Sequence, residues 1–176
     1  MDVKAAVKAI RQGDVSPVYL LYGTEKYQMN EFTSLMEDQL LQKEERDFAI
    51  VHYDLADTPI QEVVEEAEMI PFMVQRKLIF VRDASVFTAG KDSGKVEHRM
   101  ESLLEYIGNP AEYSVLIFLV NNEKLDEPKK VVKAVKSAGT VLSFMPMGSD
   151  ELLRWIEKKA KQRECSFAPG AAEVLE

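Results

Sequence analysis

Thiols, imidazoles and long apolar runs are all scarce in this sequence, whose 176 residues hold one cysteine and two histidines. Cys165 has no second thiol in the chain to pair with, so an internal disulfide framework is excluded. A lone thiol behind a charged, helix-patterned start (Met1 to Gln12) leads us to expect a reducing, cytoplasmic setting. Cys165 follows Glu164 with no basic neighbour placed to lower its pKa, and reads as an inert thiol. His52 falls in a strand-like run and His98 in a helix-like one, and neither belongs to a metal-ligand spacing or a nucleophile motif. No catalytic residue, metal or cofactor is therefore expected. No apolar run approaches the ~20 residues that a membrane-spanning helix requires.

Positive charge is also in the minority. The net charge is −8, and residues 25–68 alone carry 13 acids against 3 bases, a local charge of −10 that leaves the rest slightly basic. Phosphate binding draws its affinity from clustered Lys and Arg, so the acidic half argues against a nucleic-acid surface there. The one basic cluster is Lys129, Lys130, Lys133 and Lys136, spaced to share a helical face opposite Val131, Val132 and Val135. That face reads either as a solvated surface or as a contact for DNA or an acidic partner.

What the sequence does have is material for a packed core, with 46% hydrophobic and 30% charged residues. Five runs rich in aliphatic and β-branched residues read as strands: Val18 to Tyr22, Phe48 to Asp54, Lys77 to Arg82, Tyr113 to Val120 and Thr140 to Phe144. Most are continuously apolar, as expected of a parallel sheet covered on both faces. Helical patterns alternate with them at Val3 to Arg11, Glu25 to Leu41, Thr58 to Met69, Val96 to Ile107 and Glu127 to Ser137. The alternation predicts an α/β fold with a five-stranded, mostly parallel sheet flanked by helices. Thr24 is expected to cap the second helix. Thr58, Pro59 and Gln61 are expected to form a capping box with proline at the first helical position. Thr88 to Lys95 reads as a flexible surface loop.

A domain boundary is expected near residue 148. Residues 1–148 would be the α/β domain and residues 149–176 the beginning of a small helical domain, with Ser149 capping a helix over Asp150 to Arg163. The last segment, Pro169 to Glu176, starts like another helix and stops without a terminal signal, so the sequence reads as truncated.

The first strand ends at Gly23, where a strand-to-helix phosphate loop of the form GxxxxGK[ST] would begin. Gln28 stands where the second glycine belongs, Met29 where the lysine belongs and Asn30 where the magnesium-binding hydroxyl belongs. Lys26 is off-register. The third strand ends in Arg82 and Asp83 with Ala84 following, so paired acids for magnesium and water are missing as well. Asn121 and Asn122, at the end of the fourth strand, could sense a γ-phosphate in an ATPase, but they equally make an ordinary strand-to-loop turn.

Residues Met69 to Val74 read Met-Ile-Pro-Phe-Met-Val, directly after an acidic helix carrying Glu62, Glu65, Glu66 and Glu68. Pro71 must end that helix, because it lacks an amide donor and pushes Ile70 out of helical angles. Composition favours these side chains packing beneath the sheet. The alternative is an outward-facing binding tip, in which one buried aromatic can contribute roughly 1.5–3 kcal/mol to an interface.

Three stretches carry a family resemblance. Pro17 to Tyr27 (Pro-Val-Tyr-Leu-Leu-Tyr-Gly-Thr-Glu-Lys-Tyr), Ile70-Pro71-Phe72 followed by Arg76-Lys77-Leu78-Ile79-Phe80-Val81, and Asn122 to Asp126 together resemble the delta subunits of bacterial DNA polymerase III. The resemblance spans essentially the whole chain. It implies a clamp-loader subunit of RecA/AAA+-like fold that binds the beta sliding clamp and favours its open form without hydrolysing ATP. Its partners would be the clamp, the gamma/tau and delta prime loader subunits, and primed DNA reached through the assembled complex. By position, Pro71 and Phe72 match the paired apolar residues at that family's clamp-contacting tip. Pro71 stands where some relatives have leucine, which assigns it to shaping the turn and leaves Ile70 or Met73 to supply the second contact. The family's third domain, a helical collar, has no counterpart here, so clamp binding without stable loader assembly is the expectation. The competing reading is a divergent P-loop-like nucleotide hydrolase.

Overall fold

The computed structural model describes residues 2–89 and 96–146. Five strands form one sheet: β1 (Val18–Gly23), β2 (Ile50–Asp54), β3 (Lys77–Arg82), β4 (Ser114–Val120) and β5 (Thr140–Phe144). Their spatial order is β2-β3-β4-β1-β5, and every neighbouring pair is parallel. Helix α1 (Val3–Arg11) precedes β1, and α2 (Lys26–Leu40), α3 (Arg46–Ala49), α4 (Ile60–Glu68), α5 (Met100–Gly108) and α6 (Lys130–Ala138) lie in the crossovers that parallel strands require.

The near-continuous apolar strands are explained by burial on two sides. Val18, Leu20, Ile79, Val81, Leu116 and Phe118 pack against α4, α5 and α6. Their alternating neighbours Tyr19, Leu21, Leu78, Phe80, Val115 and Ile117 pack against α1 and α2. The period of two along each strand thus feeds two separate cores, each closed by aromatic contacts: Phe87 on Phe118 at 4.9 Å in the first, and Phe32 on Phe144 at 5.9 Å in the second.

Several local expectations are overturned. Phe48 does not open β2; it lies in α3 and is exposed, and the strand begins only at Ile50. The expected capping box at Thr58 does not form. Pro59 occupies the N-cap position itself, and the Ile60 amide donates to His98 Nδ1 at 3.0 Å. Gln61 is held by the 97–99 segment instead, donating to the Glu97 carbonyl and accepting from the Arg99 amide. A tertiary cap replaces the local one, and for that reason His98 lies before α5 rather than inside it. Thr24 does not cap α2 either; Glu25 holds the N-cap position without a side-chain bond. Thr88 is buried, its hydroxyl bonded to the Ser85 carbonyl, so the expected mobile loop does not begin there.

The chain divides into two compact units, Met1–Phe144 and Met145–Glu176. The expectations for residues 90–95, Ser149, the Asp150 to Arg163 helix, Cys165 and Pro169 to Glu176 lie outside the described residues, as does the small helical domain. Among the described residues no helix is long and apolar enough to cross a membrane.

Candidate functional site

The phosphate-loop position is closed by the fold itself. Only Thr24 and Glu25 separate the end of β1 from the start of α2. Both of their amides donate to the carbonyl of Phe144 at 3.1 Å, so the N–H groups that would face a phosphate are turned onto β5. Gly23 makes this possible. Its φ is +139°, and a Cβ there would lie 2.0 Å from the Phe144 oxygen. Gln28, Met29 and Asn30, the residues aligned with the loop's chemistry, are inside α2, and Met29 is buried in the second core rather than aimed at a ligand.

Carboxylates gather at the neighbouring strand ends. Asp83, in the left-handed region at φ +52°, has its pKa raised. The chief cause is a hydrogen bond with the Asp54 side chain, followed by desolvation and repulsion from Asp54 and Asp57, with Arg82 opposing. Asp54 also accepts from the Ala56 amide at 2.8 Å, which makes it part of the turn after β2. Among the described residues no group of three or more His, Cys, Asp or Glu is arranged to hold a metal. Asn122 accepts from the Lys124 amide at 3.3 Å, an ordinary side-chain turn.

The lysine cluster does not act as one face. Lys129 donates to the carbonyls of Val86 and Thr88, tying α6 to the segment after β3. Lys136 pairs with Glu127. Lys130 and Lys133 remain exposed, with no carboxylate partner among the described residues.

At the opposite edge of the sheet, apolar side chains project into solvent. Between α4 and β3, Ile70 is 82% exposed, Phe72 73% and Met73 75%, while Met69 is 57% exposed and Pro71 half-buried. The buried face of α4, formed by Ile60, Val63, Val64 and Ala67, ends before the tip begins. The chain re-enters the structure at Val74, which packs against the second core. Met73 has φ +61°, a left-handed conformation that costs a side-chain-bearing residue roughly 1–2 kcal/mol and turns the chain back toward β3. The expectation that this segment lies beneath the sheet is therefore wrong. The four residues Ile70, Pro71, Phe72 and Met73 form a contiguous tip, with Ile70, Phe72 and Met73 turned to solvent.

The base of the tip was not foreseen from sequence. The last three carbonyls of α4 each receive a side-chain donor: Glu66 from Lys77 Nζ, Ala67 from Ser114 Oγ at 2.6 Å and Glu68 from the Tyr113 hydroxyl. These donors stand 11 to 47 residues away in sequence, and no local spacing signals them.

Comparison with known proteins accords with this geometry. Residues 19–145 match the family model described as DNA polymerase III, delta subunit. The chain is 34% identical over 168 residues to DNA polymerase III subunit delta of Bacillus subtilis, covering 96% of this chain and 48% of that protein. The solved structure of the Bacillus subtilis DNA clamp loader delta protein superposes with a TM-score of 0.84, covering 97% of this chain and 51% of that one. A gamma subunit-related protein of Thermotoga maritima shares the fold at a TM-score of 0.50 and 14% identity, covering 98% of this chain and 57% of that one. The chain spans about half the length of the curated relative it matches.

Proposed function

Because the chain belongs to the DNA polymerase III delta-subunit family, we propose that it is the clamp-engaging part of a clamp loader, acting in the cytoplasm by binding rather than by catalysis. Its partner is the beta sliding clamp, and the contact is the tip Ile70, Pro71, Phe72 and Met73. The observation that carries this reading is the exposure of Phe72 and its neighbours at the end of a helix whose own apolar face is already buried. Phe72 enters a pocket on the ring, Ile70 and Met73 flank it, and Pro71 holds the turn. The tip can drive a closed ring toward an open one only by binding the open interface more tightly, which makes the opening a difference of two affinities.

Absence of ATP hydrolysis is part of the proposal. It is supported by a two-residue β1–α2 turn whose amides already bond to Phe144, and by Met29 packing inward where a phosphate-binding lysine would stand. Other loader subunits, of the gamma/tau and delta prime types, would supply nucleotide chemistry, and primed DNA would be met through the assembly. Lys130 and Lys133, the exposed remainder of the basic cluster, are the pair available for such a contact.

Titration of the purified chain against a bacterial sliding clamp tests the reading. Phe72→Ala is expected to weaken binding about 10- to 100-fold while the variant stays folded, the loss matching one buried aromatic at ~1.4 kcal/mol per decade. Equal affinity for wild type and variant would remove the tip from the interface. Saturable heat on titration with magnesium ATP would revive the hydrolase reading.

A further inference from the structure

The tip emerges from a neck that is closed on both sides. Lys77 is only 4% exposed, and its ammonium donates to the Glu66 carbonyl while lying 3.5 Å from the Glu66 carboxylate. Lys77 is also the first residue of β3, so one side chain ties the end of α4 to the start of the strand that follows the tip. Ser114, its partner in the β3–β4 register, bonds Ala67, and Tyr113, whose carbonyl accepts from the Lys77 amide at 2.9 Å, bonds Glu68.

A helix C-terminus normally leaves its final carbonyls to water or to a glycine-based turn. Here no glycine follows α4, and donors from Lys77 on β3, Ser114 on β4 and Tyr113 just before β4 reach three successive carbonyls, with a cation at the negative end of the helix dipole. Simple stability does not call for such an arrangement. A buried ammonium is costly to desolvate, and a terminal glycine would satisfy the same carbonyls without one. What the three donors add is direction, because the last turn of α4 cannot fray or swing while they hold it. A loop fixed in its bound shape loses less freedom on association.

We propose that Lys77, Ser114 and Tyr113 form a clasp of positioning residues that holds the Ile70–Met73 tip in its binding orientation, a role that rests on the tip being the clamp contact. The clasp touches no partner; it acts through Phe72 and its neighbours.

Tyr113→Phe removes one hydroxyl from a half-buried ring and leaves the packing intact, and Lys77→Met removes the ammonium while keeping most of the stem. Both variants, as the whole chain, are to be compared with wild type by amide hydrogen exchange and by titration with the sliding clamp. The expected result for Tyr113→Phe is exchange about tenfold faster for the amides of residues 69–76, with β1, β3 and β4 unchanged. Clamp affinity should fall about three- to tenfold. That loss should disappear in a Phe72→Ala background, where a clasp has nothing left to aim. Unchanged exchange at the tip in Tyr113→Phe, with Lys77→Met either equally unchanged or unfolded, would overturn the clasp. So would faster exchange with unaltered affinity in a chain whose binding still depends on Phe72. If wild type does not bind the clamp at all, the functional reading fails, and exchange at the tip alone then decides whether the neck is held as described.

Discussion

The two edges of the sheet invert the usual division of labour in an α/β domain. At the carboxyl edge, where open parallel sheets ordinarily keep their ligand sites, the β1–α2 turn is two residues long and its amides face a carbonyl of the same chain. At the amino edge, where such folds ordinarily have only connections, the α4–β3 segment pushes four large apolar side chains into water. One region spends its amides on the fold itself. The other contributes little to the core and leaves its apolar side chains uncovered. A site is therefore located by what its groups are free to do, rather than by the place the fold conventionally assigns to it.

Substitutions can sharpen or break this contrast. The largest effect on stability is expected at the silent edge: Gly23→Ala must place a methyl group against the Phe144 carbonyl, and denaturant unfolding should show a loss of at least about 2 kcal/mol. A neutral outcome would mean that the turn is not closed. His98→Ala removes the acceptor that caps α4 and should cost about 1 kcal/mol, read as a lower melting temperature.

The carboxyl edge also carries a pH signature. A carboxyl group whose pKa is raised by folding stabilises the fold in acid, and that contribution is lost as pH rises through the folded value. Ionised Asp83 therefore weighs against the fold near neutrality. Asp83→Asn should raise the unfolding free energy at pH 7 and not at pH 3, by an amount that solvent screening at this exposed position keeps below about 1 kcal/mol. A gain equal at both pH values would contradict the shared hydrogen bond. The smallest effect belongs to Phe72→Ala, which should change stability by no more than about 0.5 kcal/mol while damaging affinity most. A large loss of stability there would mean that the tip belongs to the core after all.

Much of the architecture was legible because it rests on short-range pattern. The bounds of β1, β3 and β5 follow directly from their apolar runs, and the alternation of elements fixes a parallel sheet. The two failed helix caps share one cause, a distant group substituting for a local one. His98, 38 residues from Ile60, does the work expected of Thr58. Phe144, near the far end of the described chain, takes the amides of Thr24 and Glu25 and so fixes the turn that Thr24 was expected to cap. Phe48 looked like the start of a strand because aromatic residues favour strands, yet it stands exposed in α3. The tip could be recognised as apolar and broken by Pro71, but its outward direction depends on how the core is filled, and sequence spacing does not report volume. The donors from Lys77, Tyr113 and Ser114 are equally invisible to local reading, because they meet α4 only once β3 and β4 are paired.

The carbonyl of Phe144 has a consequence for ancestry and engineering. Reinstating a lysine and a second glycine in α2 would leave the anchorage on β5 untouched, and the incoming nucleotide would find its seat taken by the protein's own backbone. Building a phosphate seat there means freeing both amides from that carbonyl as well as changing side chains, so no single substitution is expected to confer nucleotide binding.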